Sequence, residues 1–274
     1  MIPIYVVALA NSKRFQRLSE DLKEQELNFK RILAVDGNNL SNDDLRDNFD
    51  KRGSFARLGY EMSLPLIGCG LSHKVAYVKG IQEKQNWILI LEEDVRLCPN
   101  FKVNLVNLLK QLDSGTPTIC QLFTRGERFV HKKTLTMFQS GRYLFKFATP
   151  PGQTAGYLIN KEALLIATKE KKLSGPPDWP TWSHSIKFLG TFPFLITETS
   201  EGSSIGSPPL SKKMYWRRNL SKFMGWHFIR NINCYPNINS YYALEIKPIF
   251  LRALWKLKGK PTFPAGDATG LWII

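Results

Sequence analysis

Apolar runs and polar, helix-forming stretches alternate through the first half of the chain. Residues 2–9 are apolar and rich in β-branched side chains, the composition of a buried strand. Residues 13–26 are polar and rich in helix formers. Residues 29–35 are apolar again and stop at Asp36-Gly37, a turn dipeptide. Ser41 precedes Asn42-Asp43-Asp44, an N-cap with acids in the first helical turn, where the backbone dipoles favour negative charge. Ser72 is read as the cap of the next helix, whose Val75, Val78 and Ile81 recur about every three residues. Residues 87–91 hold no polar position, as in a central strand covered on both faces. Residues 101–112 read as a helix and 118–123 as a strand. This βαβα rhythm predicts an α/β fold: a mostly parallel, mixed sheet flanked by helices.

The pattern changes further along. Residues 142–148 and 154–159 read as strands around Pro150-Pro151-Gly152, 161–171 as a helix and 192–197 as a late strand. Residues 201–209 are Gly, Ser and Pro in the main and read as a loop. The expected organisation is a body over residues 1–208 and a basic, aromatic, helical extension over 209–274.

Charge sharpens that division. The chain of 274 residues carries a formal net charge of +15. Residues 209–274 hold eleven Lys or Arg against Glu245 and Asp267, a net of +9, which leaves +6 for the rest. Pro248 can open a helix, and Arg252, Lys256 and Lys260 then repeat along one face. Such a face suits an anionic membrane surface. No apolar run reaches the roughly 18 residues of a spanning helix. The N-terminal apolar run lacks a preceding basic region and ends at Asn11-Ser12-Lys13, so it reads as a strand rather than a signal peptide. Cys69, Cys98, Cys120 and Cys234 form no Cys-x-x-Cys pair, which argues against a zinc or dithiol motif and suits a reducing compartment. The expected location is cytoplasmic, peripheral on the inner face of the membrane. The charge also suggests nucleic acid, but no nucleic-acid-binding signature is present and the most informative segment is acidic.

That segment is Glu92-Glu93-Asp94, directly after the apolar strand. In open α/β sheets ligands bind at the carboxyl ends of strands. Three adjacent carboxylates repel one another, so a site that ionises them all favours a cation. Oxygen ligands suit hard ions, Mn²⁺ or Mg²⁺. Strand alternation would put Glu92 and Asp94 on one side, within reach of one metal, with Glu93 pointing elsewhere.

Ile67-Gly68-Cys69-Gly70-Leu71-Ser72-His73-Lys74, followed by Ile90-Leu91-Glu92-Glu93-Asp94-Val95, resembles glycosyltransferase family 25. Ala34-Val35-Asp36-Gly37, Thr154-Ala155-Gly156-Tyr157-Leu158-Ile159 and Pro177-Asp178 match further family segments in order, so the resemblance runs from Ile4 to about Ile205. It implies a GT-A-type nucleotide-sugar-binding fold, a UDP-sugar donor (most often UDP-galactose), a divalent metal, inversion at the anomeric carbon and a lipooligosaccharide or other cell-surface glycan acceptor. Glu93 departs from it, standing where the family usually has Asp. The resemblance puts Asp36 and Gly37 near the nucleotide and makes Asp94 the leading metal ligand.

Gly68, Gly70 and Ser72, read at a helix start, would offer amides to the donor phosphates, and His73, Glu92 and Glu93 would also bind the donor. Inversion needs a base separate from the metal-bound carboxylates. Asp178 is the first candidate, with Glu198 and Glu201 as competitors. Trp179 and Trp182 would stack on the acceptor sugar. Two other readings stay open: a catalytically inactive relative that binds a glycan or partner, and a basic nucleic-acid-binding protein.

Overall fold

The computed structural model describes residues 1–58, 61–125, 128–177, 185–199 and 271–273. The chain starts with β1 (Ile4–Ala8), α1 (Lys13–Glu24) and β2 (Lys30–Leu33). A 3₁₀ turn over Gly37–Asn39 leads to α2 (Asn42–Asn48), α3 (Lys51–Leu58) and the long α4 (Leu64–Gln82). β3 (Trp87–Glu92), β4 (Val95–Leu97), α5 (Phe101–Leu109), β5 (Thr118–Gln121) and β6 (Arg128–Val130) follow. β7 (Thr136–Gln139) and β8 (Arg142–Lys146) form a hairpin, with Gly141 at φ 69° in its turn. β9 (Gly156–Asn160), α6 (Lys161–Ala167), β10 (Lys187–Phe192), β11 (Ile196–Glu198) and β12 (Leu271–Ile273) complete the described chain.

Caps set the helix starts. Ser12 Oγ accepts from Phe15 N at 3.3 Å to open α1. The cap read at Ser41 is a full capping box: Asp44 N donates to Ser41 Oγ at 3.1 Å, and Ser41 N donates to Asp44 Oδ2 at 3.0 Å. Asn160 Oδ1 accepts from Ala163 N and from Thr118 N, so one side chain starts α6 and joins β9 to β5.

Eight strands form one sheet in the order β2-β1-β3-β9-β5-β10-β8-β7. The pairings make β1, β2, β3, β5, β7 and β10 run one way, with β9 and β8 against them. This is the mixed, mostly parallel sheet that the rhythm predicts. Alternation along the central strands sends Val6, Leu89, Leu91 and Leu158 to one face, against Leu18 and Leu22 of α1 and Phe101 and Leu105 of α5. Tyr5, Val7, Ile88, Ile90 and Ile159 go to the other, against Ala76 and Tyr77 of α4 and Ala163 and Leu164 of α6. Ile88 to Leu91 are fully buried, which explains why their segment lacks a polar position. Each such side chain contributes about 1.5–3 kcal/mol by leaving water.

The helix read as starting at Ser72 starts eight residues earlier, at Leu64, behind Ser63 and with Pro65 in its first turn. Pro65 supplies a preset φ where no amide is needed. Gly68 and Gly70, read at the helix start, lie inside the helix, where close neighbours meet any added side chain. A Cβ at Gly68 would sit 2.5 Å from Val35 O, and one at Gly70 2.6 Å from Leu173 Cδ2. The late strand is two strands, β10 and β11, separated where Pro193 removes a donor.

The 208/209 division and the helix read after Pro248 lie outside the described residues. Within the extension, β12 is described, and it pairs in parallel with β6. Among the described residues no helix is long and apolar enough to cross a membrane.

Gly68→Ala separates two opposed effects. Alanine is the better helix former by about 1 kcal/mol. Here its methyl would press on backbone rather than on a yielding side chain, and overpacking of that kind costs about 1–3 kcal/mol. Net destabilisation is expected in urea unfolding, while Gly115→Ala, exposed and with its nearest atom at 3.4 Å, should be close to neutral.

Candidate functional site

β1, β2 and β3 are parallel neighbours, so their carboxyl ends reach the same edge of the sheet. A pocket opens there, lined by Asp36, Gly37, Cys69, Ser72, Glu92, Glu93 and Asp94, with Arg14 entering from α1. Residues spread from 36 to 94 in sequence thus share one wall.

Asp36 is fixed by its own turn: Oδ1 accepts from Asn38 N and Oδ2 from Asn39 Nδ2, both at 3.0 Å. Gly37 follows because a Cβ there would fall 1.8 Å from Leu64 O. Ser72 donates to Gly68 O at 2.7 Å and accepts from Val35 N at 2.8 Å, tying α4 to the exit of β2. Gly68, Gly70 and Ser72 are therefore interior helix residues. Their amides belong to helical turns well inside α4, so the expected phosphate cradle at a helix N-terminus is not formed by them. Their role in the structure is close approach: they bring α4 onto the loop that carries Asp36.

His73 is buried at 1% exposure and does not line the pocket. Its Nδ1 lies 2.8 Å from Tyr157 Oη, and its Nε2 lies 3.1 Å from Glu92 Oε1. Tyr157 Oη donates to Tyr77 Oη at 2.9 Å, and Thr154 Oγ1 donates to Glu92 Oε1. His73 thus orients Glu92 instead of meeting the pocket itself. Burial alone would raise the Glu92 carboxyl, but the hydrogen bond and charge of His73, with the Thr154 hydroxyl, hold it below the ordinary range.

The other acids turn elsewhere. β3 ends at Glu92, so Glu93 and Asp94 occupy a turn in which strand alternation no longer applies. Glu93 Oε2 accepts from Leu9 N at 3.0 Å, a tether from β3 back to the end of β1. Asp94 Oδ2 faces Arg14 Nη1 at 3.9 Å, while its Oδ1 is buried with no hydrogen-bond partner among the described residues. Glu92 and Asp94 both line the pocket: Glu92 Oε1 bonds to His73 and Thr154, and Asp94 Oδ1 has no hydrogen-bond partner among the described residues. Burial first, then the charge of Glu92, push the Asp94 carboxyl up to about 6, against the pull of Arg14. An orphaned carboxylate oxygen amid like charge fits a hard divalent cation.

Glu198 completes the acidic corner. β11 pairs with β4, Glu198 opposite Val95, and Thr199 N donates to Asp94 O at 2.8 Å. Its side chain is 12% exposed and contacts Arg125 Nε. Burial raises its carboxyl to about 7; Arg125 opposes this, and Asp94 and Glu92 add to it. Sequence reasoning gave no role to Arg14, Arg125, Thr154, Tyr77 or Tyr157. Arg14 at the start of the helix after β1 carried a signal, since that position faces the carboxyl edge; Arg125 carried none. Asp178, Trp179 and Trp182, and the competing base Glu201, lie outside the described residues.

A family model described as glycosyltransferase family 25 (LPS biosynthesis protein) matches residues 1–172. The chain belongs to glycosyltransferase family 25. Relatives include a glycosyltransferase 25 family member of Drosophila pseudoobscura pseudoobscura, 33% identical over 109 residues, which are 37% of this chain and 17% of that protein. Procollagen galactosyltransferase 2 of Homo sapiens is 34% identical over 118 residues, 41% of this chain and 18% of its own length. This family 25 chain thus spans less than a fifth of these relatives. Among solved structures it is similar to a glycosyltransferase involved in the glycosylation of the major capsid of PBCV-1, at TM-score 0.34 and 12% identity over 66% of this chain and 65% of that one. It is also similar to A197 from STIV, at TM-score 0.37 and 10% identity over 77% and 100%.

The raised Asp94 carboxyl makes a prediction about the metal-free protein. Unfolded, it titrates near 3.8, and folded near 6. Between those values the native state binds more protons, so this group's contribution to stability falls as pH rises. Asp94→Asn should be more stable than the parent by on the order of 2 kcal/mol at pH 7–8 and equal to it below about pH 4. Urea unfolding in chelator across that range measures the difference.

Proposed function

We propose that the chain transfers a sugar from a UDP-sugar, galactose foremost, with inversion onto a lipooligosaccharide or other cell-surface glycan. The observation that carries this reading is the Asp94 oxygen without a hydrogen-bond partner among the described residues, in a pocket shared with the Asp36-Gly37 turn and Arg14. A nucleotide-sugar transfer concentrates charge on the leaving diphosphate, and a divalent ion neutralises it. Asp94 would hold that ion, Mn²⁺ or Mg²⁺, with Glu92 adding negative charge beside it. Arg14 sets a cation on the same wall, suited to diphosphate oxygens. Asp36, braced by Asn38 and Asn39, presents its turn to the nucleoside. The galactosyl donor is supported by the name of the procollagen galactosyltransferase relative.

The acceptor hydroxyl needs a base that is not a metal ligand. Asp178 is favoured by the family segment it stands in. Glu198 is favoured by its place: it flanks Asp94 across the β4–β11 pair, and its carboxyl titrates near neutrality, where a general base works best. The basic extension is assigned to an anionic membrane surface at the inner face, which keeps the enzyme beside lipid-linked acceptors.

Two measurements test this. In a thermal-shift series, UDP-galactose with Mn²⁺ should raise the melting temperature of the parent above either alone, and Asp94→Asn should lose the joint effect. Unchanged synergy in Asp94→Asn would remove the metal role of that residue. In turnover assays, the variant of the true base, Asp178→Asn or Glu198→Gln, should lose about 10²-fold or more in kcat with donor binding kept. Near-parental kcat in one variant excludes that residue, and near-parental kcat in both excludes a side-chain base at either position.

A further inference from the structure

Cys69 lies one helical turn before His73, so the two side chains leave α4 on the same face. Glu92, at the end of β3, meets them there. One ligand atom from each of the three residues lies within 4.8 Å of the others. We propose that Cys69, His73 and Glu92 bind a thiophilic divalent ion of the zinc type on the pocket floor, apart from the oxygen-only position at Asp94. This goes beyond the transferase reading and does not rest on it.

Spacing is the first argument. His73 Nε2 and Glu92 Oε1 stand 3.1 Å apart. Two ligands each about 2.0–2.1 Å from zinc at a tetrahedral angle are separated by about 3.3–3.4 Å. That edge is already formed to within a few tenths of an ångström. The ligands come from a helix and a central strand, which hold position better than loops.

The outer shell is the second. A ligating histidine ordinarily passes its other ring proton to a fixed acceptor. With Tyr157 donating to Tyr77, Nδ1 of His73 is the donor to Tyr157 Oη, which leaves Nε2 turned toward the ion's position. Thr154 donates to the same Glu92 oxygen and fixes the carboxylate in place. His73 is enclosed, while Cys69 and Glu92 are half-buried and line the pocket, so an ion arrives from the pocket and keeps one open position facing it.

Charge balance is the third. One proton lies between Nε2 and Glu92 Oε1, and another is on the Cys69 thiol. On coordination the hydrogen-bonding proton between Nε2 and Oε1 and the S–H proton both go to solvent, and the dication takes their place. The buried floor keeps its net charge, so no unpaired charge is created. The donor set selects the metal: thiolate with imidazole prefers zinc over magnesium or manganese.

Cobalt(II) reports directly on such a site. Titrated into the full-length, metal-free protein, Co²⁺ should give the strong visible absorption of a four-coordinate ion and a near-ultraviolet thiolate-to-cobalt band, both abolished by added Zn²⁺. Cys69→Ser should lose the thiolate band and at least tenfold in affinity, with an unchanged melting temperature in chelator to show that it folds. Asp94→Asn should keep the band. If the parent shows no thiolate band, or if Cys69→Ser retains it, the proposal is wrong and His73 only orients Glu92. No arm contains a nucleotide sugar, so the failure of this site and the failure of the transferase reading are read separately.

Discussion

The pocket depends on one backbone-to-backbone contact. Gly68 of α4 rests on Val35 and Gly37 so closely that a methyl group at Gly68 or Gly37 would overlap main-chain atoms. Ser72, one turn on, bonds to both sides of that contact. With the helix seated this way, Cys69 and Ser72 face the pocket, His73 reaches Glu92, and the Asp36 turn faces the acids of β3. A helix held farther away by ordinary side chains would leave each of these groups on a different surface. The glycines give up helix propensity, and the geometry of the site is what that loss secures.

The second organising fact is crowding of negative charge at the end of the central strand. Glu92, Asp94 and Glu198 converge from β3, the turn after it and β11; Glu92 raises the Asp94 carboxyl, and both raise that of Glu198. The protein resolves the crowding unevenly. Glu92 is given a histidine and a hydroxyl and stays ionised readily; Glu198 is given Arg125; Glu93 is drawn away to the β1 amide. Asp94 faces Arg14 at 3.9 Å, and its Oδ1 has no hydrogen-bond partner among the described residues. A site that leaves one carboxylate short of partners holds its need for a cation in reserve, an expense in stability that binding recovers.

The departure at Glu93 also finds a physical account. Its longer side chain reaches Leu9 N and closes the gap between the ends of β1 and β3. It acts as a strap between parallel strands, so the exchange of Asp for Glu leaves the neighbouring Asp94 in place.

What the sequence determined by itself was local. Unbroken apolar runs marked buried strands, because a strand covered on both faces has no site for a polar side chain; Ser41 with Asp44 marked a helix start, because the cap is closed within four residues. The order of the family motifs was legible too, and with it the acids at the end of β3. Tertiary structure decided the rest. Whether Gly68 breaks a helix or lets it approach a loop depends on Val35, some thirty residues away, and so the helix start was misplaced. Whether Glu92 and Asp94 face one ion depends on where β3 ends and on His73, Thr154 and Arg14. Such partners meet only after the sheet has brought distant segments to one edge, and no periodicity along the chain encodes the distances between them.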